Sequence, residues 1–257
     1  MKLKTDINFK LLALLLFSIN IYAELNHEEK SDDYHNIKKI NSFLKESIGS
    51  EFAYSVKKTD IAGIYSVSFG MQVIYLTGDL KFVFKGDFYS TSNGENITLS
   101  IKQNLRATAL SSIDKKTTIS FLAKNTVPDN KNVYVFTDVD CGYCRKFHKE
   151  VSDLNGMGIN VHYLAFPRAG QRGKTYEKMV SVWCASDRNN ALRKVKEGKN
   201  IPNKKCKNPI NEHYKLGLDM ELTGTPTVYN EDGILLGGFV TAKDIKQTLF
   251  ASKGNGD

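Results

Sequence analysis

The chain has 257 residues, a formal net charge of +8 and four cysteines. That length exceeds the usual single domain, so two domains are expected. The lysines are scattered among Asp and Glu in runs no longer than two or three, a pattern of solvated surface that speaks against a nucleic-acid or acidic-lipid partner. There is no internal repeat and no low-complexity tract.

Lys2, Lys4 and Lys10 precede the apolar run Leu11 to Phe17, and Ile21-Tyr22-Ala23 offers a small residue for cleavage. This order reads as a secretory signal peptide over residues 1–23. A membrane anchor is the alternative, but the apolar stretch ends at Ala23 and contains Ser18 and Asn20, whereas a span needs about 20 apolar residues. The leader carries three Lys and one Asp, so a mature chain of 234 residues keeps about +6. Export predicts a setting outside the cytosol, where disulfides persist and four cysteines form two pairs more readily than a metal cage.

After a polar lead, Ile37, Ile40, Phe43, Leu44 and Ile48 recur at helical spacing up to Gly49. Glu51–Lys57, Ile64–Phe69, Met71–Thr77 and Lys81–Phe84 then read as short strands, punctuated by Gly70, Gly78-Asp79 and Gly86-Asp87. Residues 24–95 are thus a small α+β domain with an antiparallel sheet, too small to build a large core alone. Exposed strand edges in so small a domain invite pairing with a second copy. Residues 96–126 have apolar positions spaced by three or four and read as a helical linker. Asn96-Ile97-Thr98 matches a glycosylation sequon of the kind that occurs by chance.

The second domain, 127–257, opens after Pro128 with a strand over Val133–Phe136 and a helix from Gly142 to about Leu154. A strand over Ile159–Ala165 follows, which completes a βαβ unit. Lys174–Glu197 and Pro209–Asp219 read as an inserted helical region. Thr227–Asn230 and Ile234–Phe239 form a hairpin across Glu231-Asp232-Gly233, and Thr241 caps a last helix. The order βαβ, helices, ββα is the α/β thioredoxin plan with a helical insertion.

Cys141-Gly142-Tyr143-Cys144 lies where the first strand of that plan meets its helix. A C-x-x-C can be half of a zinc site, a closed staple or a redox dithiol. A thiolate at a helix N-terminus meets unpaired N–H groups and the positive end of the dipole, which lowers its pKa. On this reading Cys141 is the exposed nucleophile and Cys144 the resolving thiol. Gly142 permits the tight helix entry, and Tyr143 shapes the rim with Arg145 and Lys146. Zinc would need a second ligand pair, and neither Cys184 and Cys206, 22 residues apart, nor His148 supplies that spacing, so no metal and no other cofactor is expected. Cys184 and Cys206 most simply form a structural disulfide worth about 3 kcal/mol in the loop-entropy picture, with a second redox centre as the alternative. Thr223-Gly224-Thr225-Pro226-Thr227 suits a cis peptide bond before Pro226, and the backbone at Thr225 can pair with an extended substrate. Asp140, next to Cys141, is expected to raise the thiol pKa. Val135 stands six residues before Cys141, where cytosolic thioredoxins carry a buried acid.

With these residues in view the chain resembles the DsbC/DsbG family of periplasmic thiol:disulfide isomerases, and its DsbC branch more closely. The likeness rests on Phe136-Thr137-Asp138 with Cys141-Gly142-Tyr143-Cys144, Tyr163 to Arg168, Trp183-Cys184-Ala185, His213-Tyr214 with Leu216-Gly217, and Thr223-Gly224-Thr225-Pro226. The resemblance implies a V-shaped homodimer held by the N-terminal dimerisation domains, with misfolded or misoxidised exported proteins as substrates. It also implies a working form kept reduced by an inner-membrane DsbD-like electron donor, and it supports the Cys184–Cys206 bond. The residues leave a dithiol oxidase, a reductase of single cysteines and a holdase chaperone with an incidental dithiol as alternatives, and chaperone activity is also compatible with the isomerase.

Overall fold

A computed structural model describes residues 32–123 and 130–250. The signal peptide over 1–23 and the domain start after Pro128 lie outside the described residues. The chain forms two compact units, Met1–Phe88 and Tyr89–Asp257.

In the first unit a helix, α1, runs over 32–48 and ends at Gly49, whose φ of +90° a side chain would disfavour and whose N–H returns to the Lys45 carbonyl. Four antiparallel strands follow in sequential order: β1 Ser55–Lys58, β2 Ile64–Phe69, β3 Gln72–Thr77 and β4 Val83–Phe84. The Ile64↔Thr77 register places Tyr65, Val67 and Leu76 on the face that packs against Ile40 and Leu44. The Tyr65 hydroxyl donates to Asp33 Oδ1 at 2.7 Å, which ties the helix start to the sheet. Phe82, Val83 and Phe84 at the β4 edge are exposed.

The second unit begins with α2, Ile97–Ser111, capped by the Asn96 side chain, which accepts from the Leu99 N–H at 2.8 Å. The sequon asparagine is therefore engaged in a helix cap, with Thr98 buried. The expected helical linker then departs from prediction, because Ile119–Phe121 is a strand, β5. Three residues are too few to display a period, and what makes them a strand is the edge of a neighbour far along the chain, through Ile119↔Tyr163 and Phe121↔Val161.

The remaining elements are β6 Lys131–Thr137, α3 Gly142–Gly156, β7 Ile159–Ala165, α4 Lys174–Trp183, α5 Arg188–Lys196, α6 Ile210–Asp219, β8 Thr227–Asn230, β9 Leu235–Gly237 and α7 Ala242–Phe250. The sheet order is β5-β7-β6-β8-β9, with β6 and β7 parallel and the other pairs antiparallel. The near-continuous apolar run of β6 is buried from Val133 to Phe136, as a central strand requires. Phe147, Val151 and Leu154 on α3 share one helix face and enter the same core as Val161, Trp183 and Leu192. Removing Phe147 to Ala would cost about 3–5 kcal/mol by transfer and cavity terms. Cys184 and Cys206 are joined by a disulfide that clamps the end of α4 to the segment before α6. At the β8–β9 turn Gly233 has φ +74°, and a side chain there would run into the backbone of Gln103 and Ala107 on α2.

Candidate active site

Strand β6 delivers the chain to Thr137, and Asp138-Val139-Asp140 turns it into α3. The Cys141 N–H donates to the Asp138 carbonyl at 3.2 Å, and Cys141, extended at φ −80° and ψ 123°, is the N-cap of α3. An N-cap side chain accepts from an unpaired N–H of the first turn, and here the Cys144 N–H points at Cys141 Sγ at 3.4 Å. The Cys141 thiol donates to the Thr225 carbonyl at 3.1 Å, and the Thr225–Pro226 bond is cis. Both cysteines are free thiols. The fold thus brings Cys141, Cys144, Thr225 and Pro226 together from positions more than eighty residues apart in sequence.

Burial corrects one sequence expectation. Cys141 is 2% exposed and Cys144 1%, so Cys141 is not the exposed thiol of the pair, because it lies against the Thr225–Pro226 turn. Electrostatics separates the two instead. Burial pushes the Cys141 thiol up, but the Thr225 side chain, the Cys144 N–H and side chain and the Arg168 charge, all of which favour the thiolate, outweigh it and lower its pKa. The Thr225 hydroxyl is buried with no hydrogen-bond partner in this thiol form, leaving it placed to donate once a thiolate forms. Cys144 goes the other way: burial raises its pKa despite Lys196 and the donors at Asp138 and Thr137.

Asp140 corrects a second expectation. Its carboxylate accepts from Lys178 Nζ at 2.5 Å and Thr175 Oγ1 at 2.8 Å, and Arg145 lies 3.9 Å away. Burial pushes the Asp140 pKa up, and the Lys178 and Thr175 contacts more than reverse it. A carboxylate so matched with cations does not raise its neighbour, and the Cys141 pKa falls.

Asp138 is the buried acid of the turn. Its Oδ1 accepts from the Asp140 N–H at 2.8 Å, and its Oδ2 accepts from Arg168 N–H at 2.9 Å and Nε–H at 3.2 Å. It therefore ties the loop carrying Cys141 to the segment after β7. Beneath the pair, Lys196 on α5 is 5% exposed and donates from Nζ to Thr137 Oγ1 at 2.7 Å and to the Asp138 carbonyl at 2.9 Å. Sequence reasoning gave Asp138, Thr137, Arg168 and Lys196 no role. For Lys196 a signal existed: Leu192 and Lys196 are one turn apart on the buried stripe of an amphipathic helix, where a lysine is out of place.

Gly142 and Tyr143 sit at the mouth, both exposed. The Tyr143 ring is tilted toward Phe239 at 6.4 Å between centroids, with Lys146 Nζ 4.9 Å from its own centre. An open groove of about 450 Å³ runs beside it, lined by Tyr143, Thr225, Pro226, Tyr229, Leu235 and Phe239. Apolar walls with a stretch of irregular backbone at Thr225 suit an extended polypeptide better than a compact polar ligand. His148 faces away from any such role: burial holds its pKa at about 4, and its Nδ1 is hydrogen-bonded with the Tyr163 hydroxyl at 2.9 Å.

Two family comparisons match the two halves. Residues 28–99 match the disulfide bond isomerase protein N-terminal domain, and 122–253 match a thioredoxin-like domain. The thiol:disulfide interchange protein DsbC of Escherichia coli K12 is 34% identical over 195 residues, which cover 76% of this chain and 80% of that one. The chain belongs to the DsbC family. DsbC of Haemophilus influenzae is 32% identical over 220 residues, covering 85% of this chain and 90% of that one. A solved disulfide interchange protein from Neisseria gonorrhoeae is 23% identical, with a TM-score of 0.46 over 53% of this chain and 97% of that one. Membership of the DsbC family makes the chain a thiol:disulfide oxidoreductase with an N-terminal isomerase domain and a thioredoxin-like domain.

Proposed function

We propose that this DsbC-family chain isomerises wrong disulfides in exported proteins, with Cys141 as the attacking thiol and Cys144 as the resolving one. The observation that carries the reading is the opposed tuning of two adjacent thiols, Cys141 lowered at a helix N-terminus and Cys144 raised in the core. The Cys141 thiolate attacks one sulfur of a substrate disulfide, and the other substrate sulfur leaves as a thiolate. Another substrate thiolate then attacks the bonded substrate sulfur and frees Cys141, so the disulfide has moved and no net electrons have passed. If none arrives, Cys144 attacks Cys141 Sγ, the substrate leaves reduced, and the enzyme leaves as the Cys141–Cys144 disulfide. Gly142 and Tyr143 shape the entrance, Thr225 and Pro226 hold the substrate backbone, and Cys184–Cys206 is structural.

The leader ending at Ala23 supports export through a cleaved signal peptide, in keeping with the periplasmic setting of the DsbC family. The match of 28–99 to the isomerase N-terminal domain and the exposed Phe82-Val83-Phe84 edge support a homodimer built on that unit. An inner-membrane DsbD-like donor would return the oxidised pair to dithiol, and the apolar groove would lend chaperone activity. The mature chain should refold a scrambled multi-disulfide protein, and Cys141→Ala should abolish this. Undiminished refolding by Cys141→Ala would overturn the isomerase reading in favour of a holdase. A Cys141–Cys144 pair trapped mainly oxidised in cells would instead indicate an oxidase, and sedimentation as a monomer would remove the dimer.

A further inference from the structure

Lys196 is the only buried lysine among the described residues. No ion pair joins it to a carboxylate there: the Asp138 oxygens are taken by the Asp140 N–H and by Arg168, and Lys196 reaches only the Asp138 carbonyl and the Thr137 hydroxyl. Burying an amine without an ion-pair contact costs stability, and a methionine would fill the same space without that cost. The position asks for a functional reason, and the neighbour supplies one. Thr137 Oγ1, 2.7 Å from Lys196 Nζ, also lies beside Cys144, where it and the Asp138 backbone act to lower that thiol's pKa against burial. The fully buried Thr137 hydroxyl is thus hydrogen-bonded to the Lys196 amine and acts electrostatically on the Cys144 thiol.

We propose that Lys196, working through the Thr137 hydroxyl, takes the Cys144 proton when this thiol resolves the mixed disulfide. This rests on the assignment of Cys141 as attacker and Cys144 as resolver. In the mixed disulfide Cys141 Sγ is bonded to a substrate sulfur. The neutral Lys196 amine takes the Thr137 hydroxyl proton as that oxygen takes the Cys144 proton. The Cys144 sulfur then attacks Cys141 Sγ, the bond to the substrate sulfur breaks, and the substrate leaves as a thiolate that is protonated by water. The substrate sulfur leaves with the electron pair of the broken S–S bond, so that over the two exchange steps the substrate disulfide has gained two electrons and the enzyme pair has lost them, and the proton remains on Lys196 until it exchanges with solvent. Lys196 is thus a positioning residue for a proton and does not touch the reacting sulfur atoms.

The amine can serve near neutral pH because burial brings its pKa down to about 8, against the attraction of the Cys144, Asp138 and Cys141 charges, which raises it. The groups around it are Asp138 from the turn after β6, Cys141, Cys144, Arg145 and His148 from α3, Tyr163 from β7, Arg168 beyond β7, and Arg193 and Glu197 on its own helix. His148, held at about 4, is neutral above pH 6, and Tyr163, raised well above 10, stays protonated there. Neither competes for the proton.

The test uses the mature chain with Cys141 loaded as a mixed disulfide with thionitrobenzoate, whose release by Cys144 is followed by stopped flow from pH 6 to 10. The parent rate should rise through a midpoint near 8. Lys196→Met should slow release at pH 7.5 by about tenfold or more, the lower range of a proton-transfer contribution, and move the profile to higher pH. Thr137→Val, with Lys196 retained, should move it in the same direction. Native Trp183 fluorescence in each variant confirms that the fold is kept. Release by Lys196→Met at the parent rate and profile would overturn the proposal, and so would a slower rate on an unmoved profile, which marks a structural lysine. Cys144→Ala separates the two levels: release undiminished in that variant would remove Cys144 as resolver and with it the underlying assignment.

Discussion

Replacing Asp138 by alanine tests whether the site is held together by one buried carboxylate. Asp138 accepts three hydrogen bonds, two from backbone N–H groups of Asp140 and Arg168 and one from the Arg168 guanidinium. Arg168 is half exposed, so water can replace the side-chain bond, and little is lost there. The two backbone donors are different, since each would be left facing a cavity without an acceptor at about 1–3 kcal/mol apiece. Asp138→Ala should therefore destabilise the second unit by about 2–6 kcal/mol. Trp183 is the sole tryptophan of the chain and lies in the core of that unit, so urea unfolding followed by its fluorescence reports this unit alone. The same variant should slow alkylation of Cys141 at pH 7, because Arg168 loses its anchor beside the thiolate it helps to stabilise. A loss under about 0.5 kcal/mol, the usual range of a surface substitution, would refute the reasoning and mean that solvent reaches the turn.

Other outcomes follow from the same contacts. Replacing Cys184 and Cys206 together by alanine opens a loop closed across 22 residues and should lower the stability of the second unit by about 3 kcal/mol on the loop-entropy relation, read again from Trp183. A change under about 1 kcal/mol would mean that the helical insertion is already ordered when reduced. His162 and His213 are buried, with pKa values held at about 4, well below 6.5, first by burial. Their unfolded forms bind protons first, so their contribution to stability is complete above about pH 6.5 and is lost as pH falls toward 4. Each is worth about 3 kcal/mol across that window, and His162→Gln should flatten the acid limb of Trp183 unfolding. An unchanged limb would count against this account.

The strands and helices were legible wherever a period had room to repeat. β2, β7 and β8 match the alternating or continuous apolar runs read from sequence, and α3 begins at Gly142 as the strand-to-helix junction requires. β5 was not legible, since three residues carry no period and only the edge of β7 makes them a strand. At the site, residue types and spacing were enough to single out the dithiol and the Thr225-Pro226 turn, while the surroundings of Cys141 were misjudged.

What the sequence determined by itself was local: a C-x-x-C at a helix N-terminus, a proline turn and the order of elements that makes a thioredoxin plan. What only the tertiary structure decided was which partners those residues meet. Asp140 is matched by Thr175 and Lys178, 35 and 38 residues on, Cys141 is covered by Thr225, 84 residues on, and Thr137 meets Lys196 across 59. A neighbour in sequence, such as the carboxylate beside Cys141, suggests one sign for a pKa shift. Burial and charges from distant segments act over a few ångströms, whatever their separation along the chain, and they set the sign that the folded protein has.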